Sequence, residues 1–132
     1  MGAARAGEIR FDQLTVTYGG GRKGDSKGGQ TVLDGFDLTV EPGEVMALLG
    51  PSGSGKSLTL RAIAGLLRPD RGRIELPQGV VFDSETRVDA MPQQRNAGYV
   101  VQDLALFPHM TVAENIGFAI AGWKRGEREA RV

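Results

Sequence analysis

The sequence predicts an α/β fold in which an antiparallel β-hairpin region precedes a parallel core sheet with flanking helices. Apolar and polar residues alternate over residues 8–18 and 31–40, as in half-buried strands. Residues 45–49 form a short, continuous apolar run, which is typical of a strand buried on both faces. A glycine-rich loop and a helical apolar period over 56–67 follow, and this order favours an α/β sheet.

The first two strands are expected to pair as a hairpin. The alternation in the first strand slips near Asp12 and Gln13, which predicts a bulge or bend. Six of the twelve residues 19–30 are glycine, so this segment is expected to be a flexible loop. Residues 1–7 are expected to be a disordered tail, and residues 41–44 a turn.

The remaining elements are assigned from local patterns. Residues 73–76 and 80–82 are short strand candidates, 83–96 is polar and loop-like, and 98–101 is a compact buried strand candidate. Thr111 and Glu114 match a capping box, which predicts a helix running to about Ala121. Residues 1–132 are interpreted as a single domain that is incomplete at its C-terminus.

Composition excludes several classes of function. The 16 basic and 16 acidic residues give no net charge, so nucleic-acid binding through bulk charge is not expected. The absence of cysteine excludes disulfides and thiolate chemistry. No apolar run approaches the ~18 residues that span a bilayer, so any work at a membrane is expected to occur by docking.

The candidate site is a phosphate-binding P-loop, Gly50-Pro51-Ser52-Gly53-Ser54-Gly55-Lys56-Ser57. Its glycines let several backbone N–H groups face one anion, and the helix that follows directs its positive end at the phosphates. Lys56 is suited to the β- and γ-phosphates, and the Ser57 hydroxyl is suited to Mg²⁺. These features predict a P-loop NTPase fold that binds Mg²⁺ and a nucleoside triphosphate, with ATP favoured.

Two blocks resemble the ATP-binding subunit of ABC transporters: the P-loop extended through Leu66, and residues 91–116. Within that family the chain is most similar to importers of small anions, polyamines or sugars, over about residues 8–120. The resemblance implies that Tyr18 stacks on adenine, and that Gln102 contacts Mg²⁺ or the attacking water. It also implies ATPase activity in the intact protein, with Lys56 and Gln102 as catalytic residues.

The resemblance further implies partners and a location. The segment from Leu104 to Met110 would dock on a transmembrane permease subunit. A second ATP-binding domain would complete a homodimer. Import of a small solute would be driven from the cytoplasmic, inner face of the cell membrane. His109 is assigned no catalytic role, and the transported substrate is not readable from these residues.

The sequence departs from the family at two places. Leu58 stands where a second hydroxyl residue is common, and Thr59, one position later, is turned about 100° away on a helix. One α-phosphate contact by a side chain is therefore not expected, although the backbone N–H of Leu58 remains available. The printed sequence ends at Val132, before the signature, the second acidic motif and the switch histidine, so these 132 residues alone are expected not to hydrolyse ATP at a useful rate.

Three alternatives remain open at this point. The first is a binding-only nucleotide module that hydrolyses nothing. The second is another P-loop enzyme, such as a kinase or a GTPase, which would leave Tyr18 and the block around Gln102 unexplained. The third is a soluble ABC-type ATPase of DNA repair or translation, against which the segment around Leu106 argues by analogy.

Overall fold

The computed structural model describes residues 7–18, 29–102 and 106–119. The predicted tail therefore lies outside the described residues except for Gly7, which is in a turn, and so do residues 19–28 of the predicted glycine-rich loop. The chain divides into two compact units, Met1–Tyr99 and Val100–Val132. In chain order the elements are β1 (Ile9–Tyr18), β2 (Gln30–Val40), α1 (Lys56–Ala64), β3 (Arg71–Leu76), β4 (Gly79–Asp83), β5 (Val88–Asp89), a 3₁₀ helix (Pro92–Gln94) and α2 (Val112–Ala119).

The first unit contains a five-stranded sheet in the order β2-β1-β3-β4-β5, with every neighbouring pair antiparallel. The predicted hairpin is confirmed, since β1 pairs with β2 from Ile9 opposite Val40 to Tyr18 opposite Gln30. Gln30, the last residue of the predicted loop, is therefore the first residue of β2. The predicted irregularity in β1 is also confirmed: Gln13 has a φ of 49°, and the register shifts between Phe11 and Leu14.

One face of this sheet and helix α1 enclose the hydrophobic core of the first unit. Alternate residues of β1 point into the core because side chains of a strand alternate between its two faces. The fully buried apolar members are Phe11, Leu14, Val16, Leu33, Ala62, Ile74, Leu76, Val81 and Phe82. Leu58 and Ile63 of α1 pack against this cluster, so the core fixes the helix that follows the P-loop.

Helix α1 ends earlier than the apolar period predicts. Gly65 adopts a left-handed conformation with a φ of 75°, and the backbone N–H of Leu66 donates to the carbonyl of Arg61 at 2.9 Å. This geometry satisfies carbonyls of the last turn and stops the helix at Ala64, although the predicted apolar face continues to Leu67. The residues beyond Gly65 are therefore a connection to β3.

The predicted parallel core sheet is wrong for the described residues, where neither 45–49 nor 98–101 forms a strand. Val45 is 97% exposed, Leu49 91% and Val100 89%, so these apolar side chains are not buried. A strand buried on both faces needs partner strands for its backbone groups and helices over its side chains. The described residues supply neither to these two segments.

Other local predictions are confirmed or refined. The short strands at 73–76 and 80–82 are present within β3 and β4. The polar segment 83–96, predicted to be a loop, also contains β5 and the 3₁₀ helix. In the second unit the capping box is confirmed, since the backbone N–H of Thr111 donates to Glu114 Oε2 at 2.7 Å and the N–H of Glu114 donates to Thr111 Oγ1 at 3.3 Å.

Candidate functional site

The P-loop connects residues 45–49 to the first turn of α1, as the sequence predicts. Gly53 and Gly55 have φ values of 84° and 93°, a region that side chains with a Cβ rarely adopt. A Cβ at Gly55 would also lie 2.6 Å from Leu33 Cδ2, so the loop runs directly against the core side of β2. The backbone conformation of the loop therefore depends on glycine both for torsion and for space.

The ammonium group of Lys56 lies inside the curve of the loop. Its Nζ donates to the carbonyl of Gly50 at 2.8 Å, the carbonyl of Pro51 at 2.6 Å and Ser54 Oγ at 3.3 Å. An ammonium group has three protons, and three oxygens accept them here. The loop thus holds the positive charge at the place where its own backbone turns into the helix.

The N-terminal end of α1 is suited to an anion. The first turn of the helix contains no acidic residue, and no side chain caps its backbone N–H groups. These N–H groups and the helix dipole both favour negative charge at this end. Lys56, the first residue of the helix, adds a cation at the same position. These features suit the binding of a phosphate group.

A cleft of about 450 Å³ is lined by seven of the predicted site residues, while Gly50, Pro51 and Ser54 of the P-loop are not part of its lining. Tyr18, at the end of β1, lines this cleft together with Lys56 and Ser57, and its side chain is 65% exposed. The complete lining is Tyr18, Gln30, Val32, Ser52, Gly53, Gly55, Lys56, Ser57, Leu58 and Arg61. The exposed phenol ring thus shares one open site with the P-loop.

Sequence reasoning missed three residues of this lining: Gln30, Val32 and Arg61. Gln30 could have been found from the hairpin register, because it is directly opposite Tyr18. Arg61 is four residues after Ser57, a spacing that places both side chains on one face of a helix. The cleft therefore extends beyond the motif along β2 and α1.

The structure explains the departure at residues 58 and 59. Thr59 is buried, and its hydroxyl donates to the carbonyl of Gly55 at 3.1 Å, so it is directed back along the helix. This agrees with the expectation that Thr59 does not replace a hydroxyl at position 58. Leu58 itself is half-buried, lines the cleft and packs against the core.

The second unit contains the other predicted residues. Gln102 has an exposed side chain, while residues 103–105 lie outside the described residues. Leu106 is 65% exposed and Phe107 37%, and the rings of Phe107 and Phe118 have their centroids 4.8 Å apart. The segment predicted to dock therefore presents apolar side chains at its surface. No helix in the described part of the chain is long and apolar enough to cross a membrane.

Comparison with known proteins decides the family. A family model described as ABC transporter matches residues 33–132. The chain belongs to the ABC transporter family. The predicted P-loop NTPase fold is confirmed by solved ABC cassettes: the dimeric bacterial cassette MJ0796 has a TM-score of 0.73 at 25% identity, covering 92% of this chain and 53% of that one. A bacterial Atm1-family exporter with ATP bound has a TM-score of 0.72 at 27% identity, covering 96% of this chain and 20% of that one.

Similar curated proteins are ATP-binding proteins of importers. The Fe(3+) ions import ATP-binding protein FbpC of Yersinia pestis bv. Antiqua is 50% identical over 101 residues, which are 76% of this chain and 28% of that protein. A Salmonella typhimurium protein, PhnT, named as a 2-aminoethylphosphonate import ATP-binding protein, is 44% identical over 117 residues, or 89% of this chain and 28% of that protein. The chain thus spans less than a third of the length of these relatives.

Proposed function

We propose that this chain is the N-terminal part of one ATP-binding domain, whose intact protein hydrolyses ATP to drive import of a small solute. The observation that carries the proposal is the position of Lys56. Its ammonium group lies within the P-loop at a helix end that has no side-chain cap, and Lys56 lines the same cleft as Tyr18. The names of the similar import proteins support the direction of transport.

The proposed roles follow from the chemistry of each group. The backbone N–H groups of residues 50–58, apart from Pro51, which has none, would face the phosphates, and Lys56 would neutralise charge on the β- and γ-phosphates. The Ser57 hydroxyl and the Gln102 side chain would hold Mg²⁺, which would offset the negative charge of the phosphates. Tyr18 offers a flat, exposed ring for the adenine base.

The proposed partners use the second unit and a second copy of the domain. The segment 104–110 is proposed to dock on a transmembrane permease subunit, which would place the protein on the cytoplasmic face of the cell membrane. Support comes from the exposed apolar side chains of Leu106 and Phe107. Pairing of two ATP-binding domains is supported by the dimeric state named for the solved cassette MJ0796.

The test is nucleotide binding by the full-length protein, measured with a fluorescent ATP analogue and by competition with ATP and AMP. Lys56→Ala should weaken ATP binding by about tenfold to a hundredfold, because a charge-assisted contact to phosphate is lost. Tyr18→Ala should weaken ATP and AMP binding alike, by about tenfold, because the stacked base is common to both. Tyr18→Trp should retain binding.

Tyr99→Ala is the matched control, since it removes the other tyrosine, which does not line the cleft. Unchanged ATP affinity in Lys56→Ala would refute the phosphate site. Phosphate release by the full-length protein then separates an ATPase from a module that only binds nucleotide. Release that is absent in the presence of Mg²⁺ and permease favours the binding-only alternative.

A further inference from the structure

Asn115 connects helix α2 to the loop that precedes it. The backbone N–H of Phe107 donates to Asn115 Oδ1 at 2.9 Å. In return, Asn115 Nδ2 donates to the carbonyls of Phe107, Met110 and Thr111 at 3.2, 3.1 and 3.0 Å. One side chain in the first turn of α2 therefore contacts the loop 107–111 at both of its ends.

Only an asparagine side chain fits this set of partners. The oxygen faces a donor and the nitrogen faces three acceptors, so the amide has one satisfactory orientation. An aspartate would place a carboxylate against three carbonyl oxygens, and a glutamine would extend one methylene too far. The loop thus requires a donor and an acceptor on one short side chain.

The helix itself does not require asparagine at this position. Asparagine is a poorer helix former than alanine, and the start of α2 is already stabilised by Thr111 and Glu114. The backbone N–H of Asn115 makes the ordinary helical bond to the carbonyl of Thr111 at 2.9 Å. The amide side chain therefore acts on the loop.

The loop held by Asn115 determines how apolar side chains are presented. The Phe107 ring packs against Phe118, with centroids 4.8 Å apart, and against His109 at 6.0 Å. Leu106, Val112 and Ile116 are also exposed. Glu114 is the only acidic residue between 106 and 118, and this stretch contains no lysine or arginine. The surface is thus suited to an apolar segment of a partner.

We propose that Asn115 is the positioning residue of the docking loop, defined as residues 106–111, and that it fixes this loop in the shape that receives an apolar cytoplasmic segment of the permease subunit. The inference rests on the proposed function, which supplies the permease as partner. It adds a residue outside the segment predicted to dock. It also predicts that docking depends on one amide side chain that need not touch the partner.

The experiment measures binding of the full-length protein to the permease subunits of its own transporter, reconstituted in lipid nanodiscs. Asn115→Ala should weaken this binding by about tenfold, because the hydrogen bonds between the amide side chain and the loop are lost. Hydrogen exchange at the Phe107 amide should accelerate by a similar factor. ATP affinity and the midpoint of thermal unfolding should stay near those of the wild type.

Two further variants keep the test decisive. Asn115→Asp retains the acceptor for the Phe107 N–H but loses the donor, so it should also weaken docking and covers the case in which the alanine variant misfolds. Glu114→Ala removes the capping box and leaves the amide of Asn115 in place, so it should dock normally. Equal loss in Glu114→Ala, or wild-type affinity in both Asn115 variants, overturns the inference. Failure of the wild type to bind the permease while it binds ATP refutes the proposed partner itself.

Discussion

Replacing Gly55 by alanine should destabilise the first unit through two separable effects. The left-handed φ of 93° costs an alanine about 1–2 kcal/mol. The new Cβ would lie 2.6 Å from Leu33 Cδ2 and 3.3 Å from Val32 Cγ1, and such overpacking costs about 1–3 kcal/mol more. The free energy of unfolding of Gly55→Ala should therefore fall by about 2–4 kcal/mol after the lower chain entropy of alanine is counted.

Gly53 provides a matched control within the same loop. Its φ of 84° imposes the same torsional cost, but nothing lies within 4 Å of a Cβ placed there. Gly53→Ala should therefore lose only about 1 kcal/mol. Urea unfolding followed by circular dichroism measures both variants, and their difference isolates the contact between the P-loop and β2.

A double-mutant cycle with Leu33→Ala tests the assigned contact. Leu33→Ala alone should cost about 2–5 kcal/mol because it empties a core position. In that background the clash is relieved, so the added cost of Gly55→Ala should shrink to that of Gly53→Ala. Full additivity of the two substitutions, or equal losses for Gly53→Ala and Gly55→Ala, would refute the packing of the loop against Leu33.

Two further predictions concern charged groups. Arg95→Met should lower the free energy of unfolding by about 2–4 kcal/mol, because the buried guanidinium donates to the carbonyls of Ala62 and Ala90. Arg68→Met is the control: it removes an exposed ion pair and should lower the free energy of unfolding by less than about 1 kcal/mol. Equal losses in the two variants would contradict the structural role of Arg95. Hydrogen bonds from Thr111 lower the pKa of Glu114 below its ordinary value of 4.5, so the stabilisation by its carboxylate is complete above that value and is lost as pH falls through the lowered pKa. Thr111→Val removes the hydroxyl donor but keeps the backbone N–H, which is the larger cause, so an NMR titration should show this pKa rising only part of the way to its ordinary value. No change in this variant contradicts the role of the hydroxyl.

Local patterns predict the parts of the site that depend on neighbouring residues. The P-loop, the hairpin, the bulge at Gln13 and the capping box at Thr111 each arise from a few consecutive residues with defined chemistry. The pairing of Tyr18 with Gln30, which both line the cleft, needs one further step, the register of β1 with β2. That register follows from alternation, because a shift by one residue would exchange the buried and exposed faces of the strand.

Features that depend on distant partners could not be predicted in this way. The apolar run 45–49 has the composition of a buried strand, but a strand forms only where another strand pairs with it, and the described residues provide none. Arg95 was missed for the opposite reason. An arginine in a polar segment predicts an exposed side chain, whereas here it is 1% exposed and satisfies carbonyls of α1.

Contacts at both ends of α1 hold the helix that carries the proposed phosphate site. At the N-terminal end, Gly55 packs against Leu33 and leaves no room for a side chain. At the C-terminal end, Arg95 donates to the carbonyl of Ala62 at 2.7 Å, where a cation also complements the helix dipole. Burial lowers the pKa of this guanidinium and Asp89 opposes that shift. Because both ends of the helix are held by the core, the backbone N–H groups around Lys56 keep their direction before any phosphate binds.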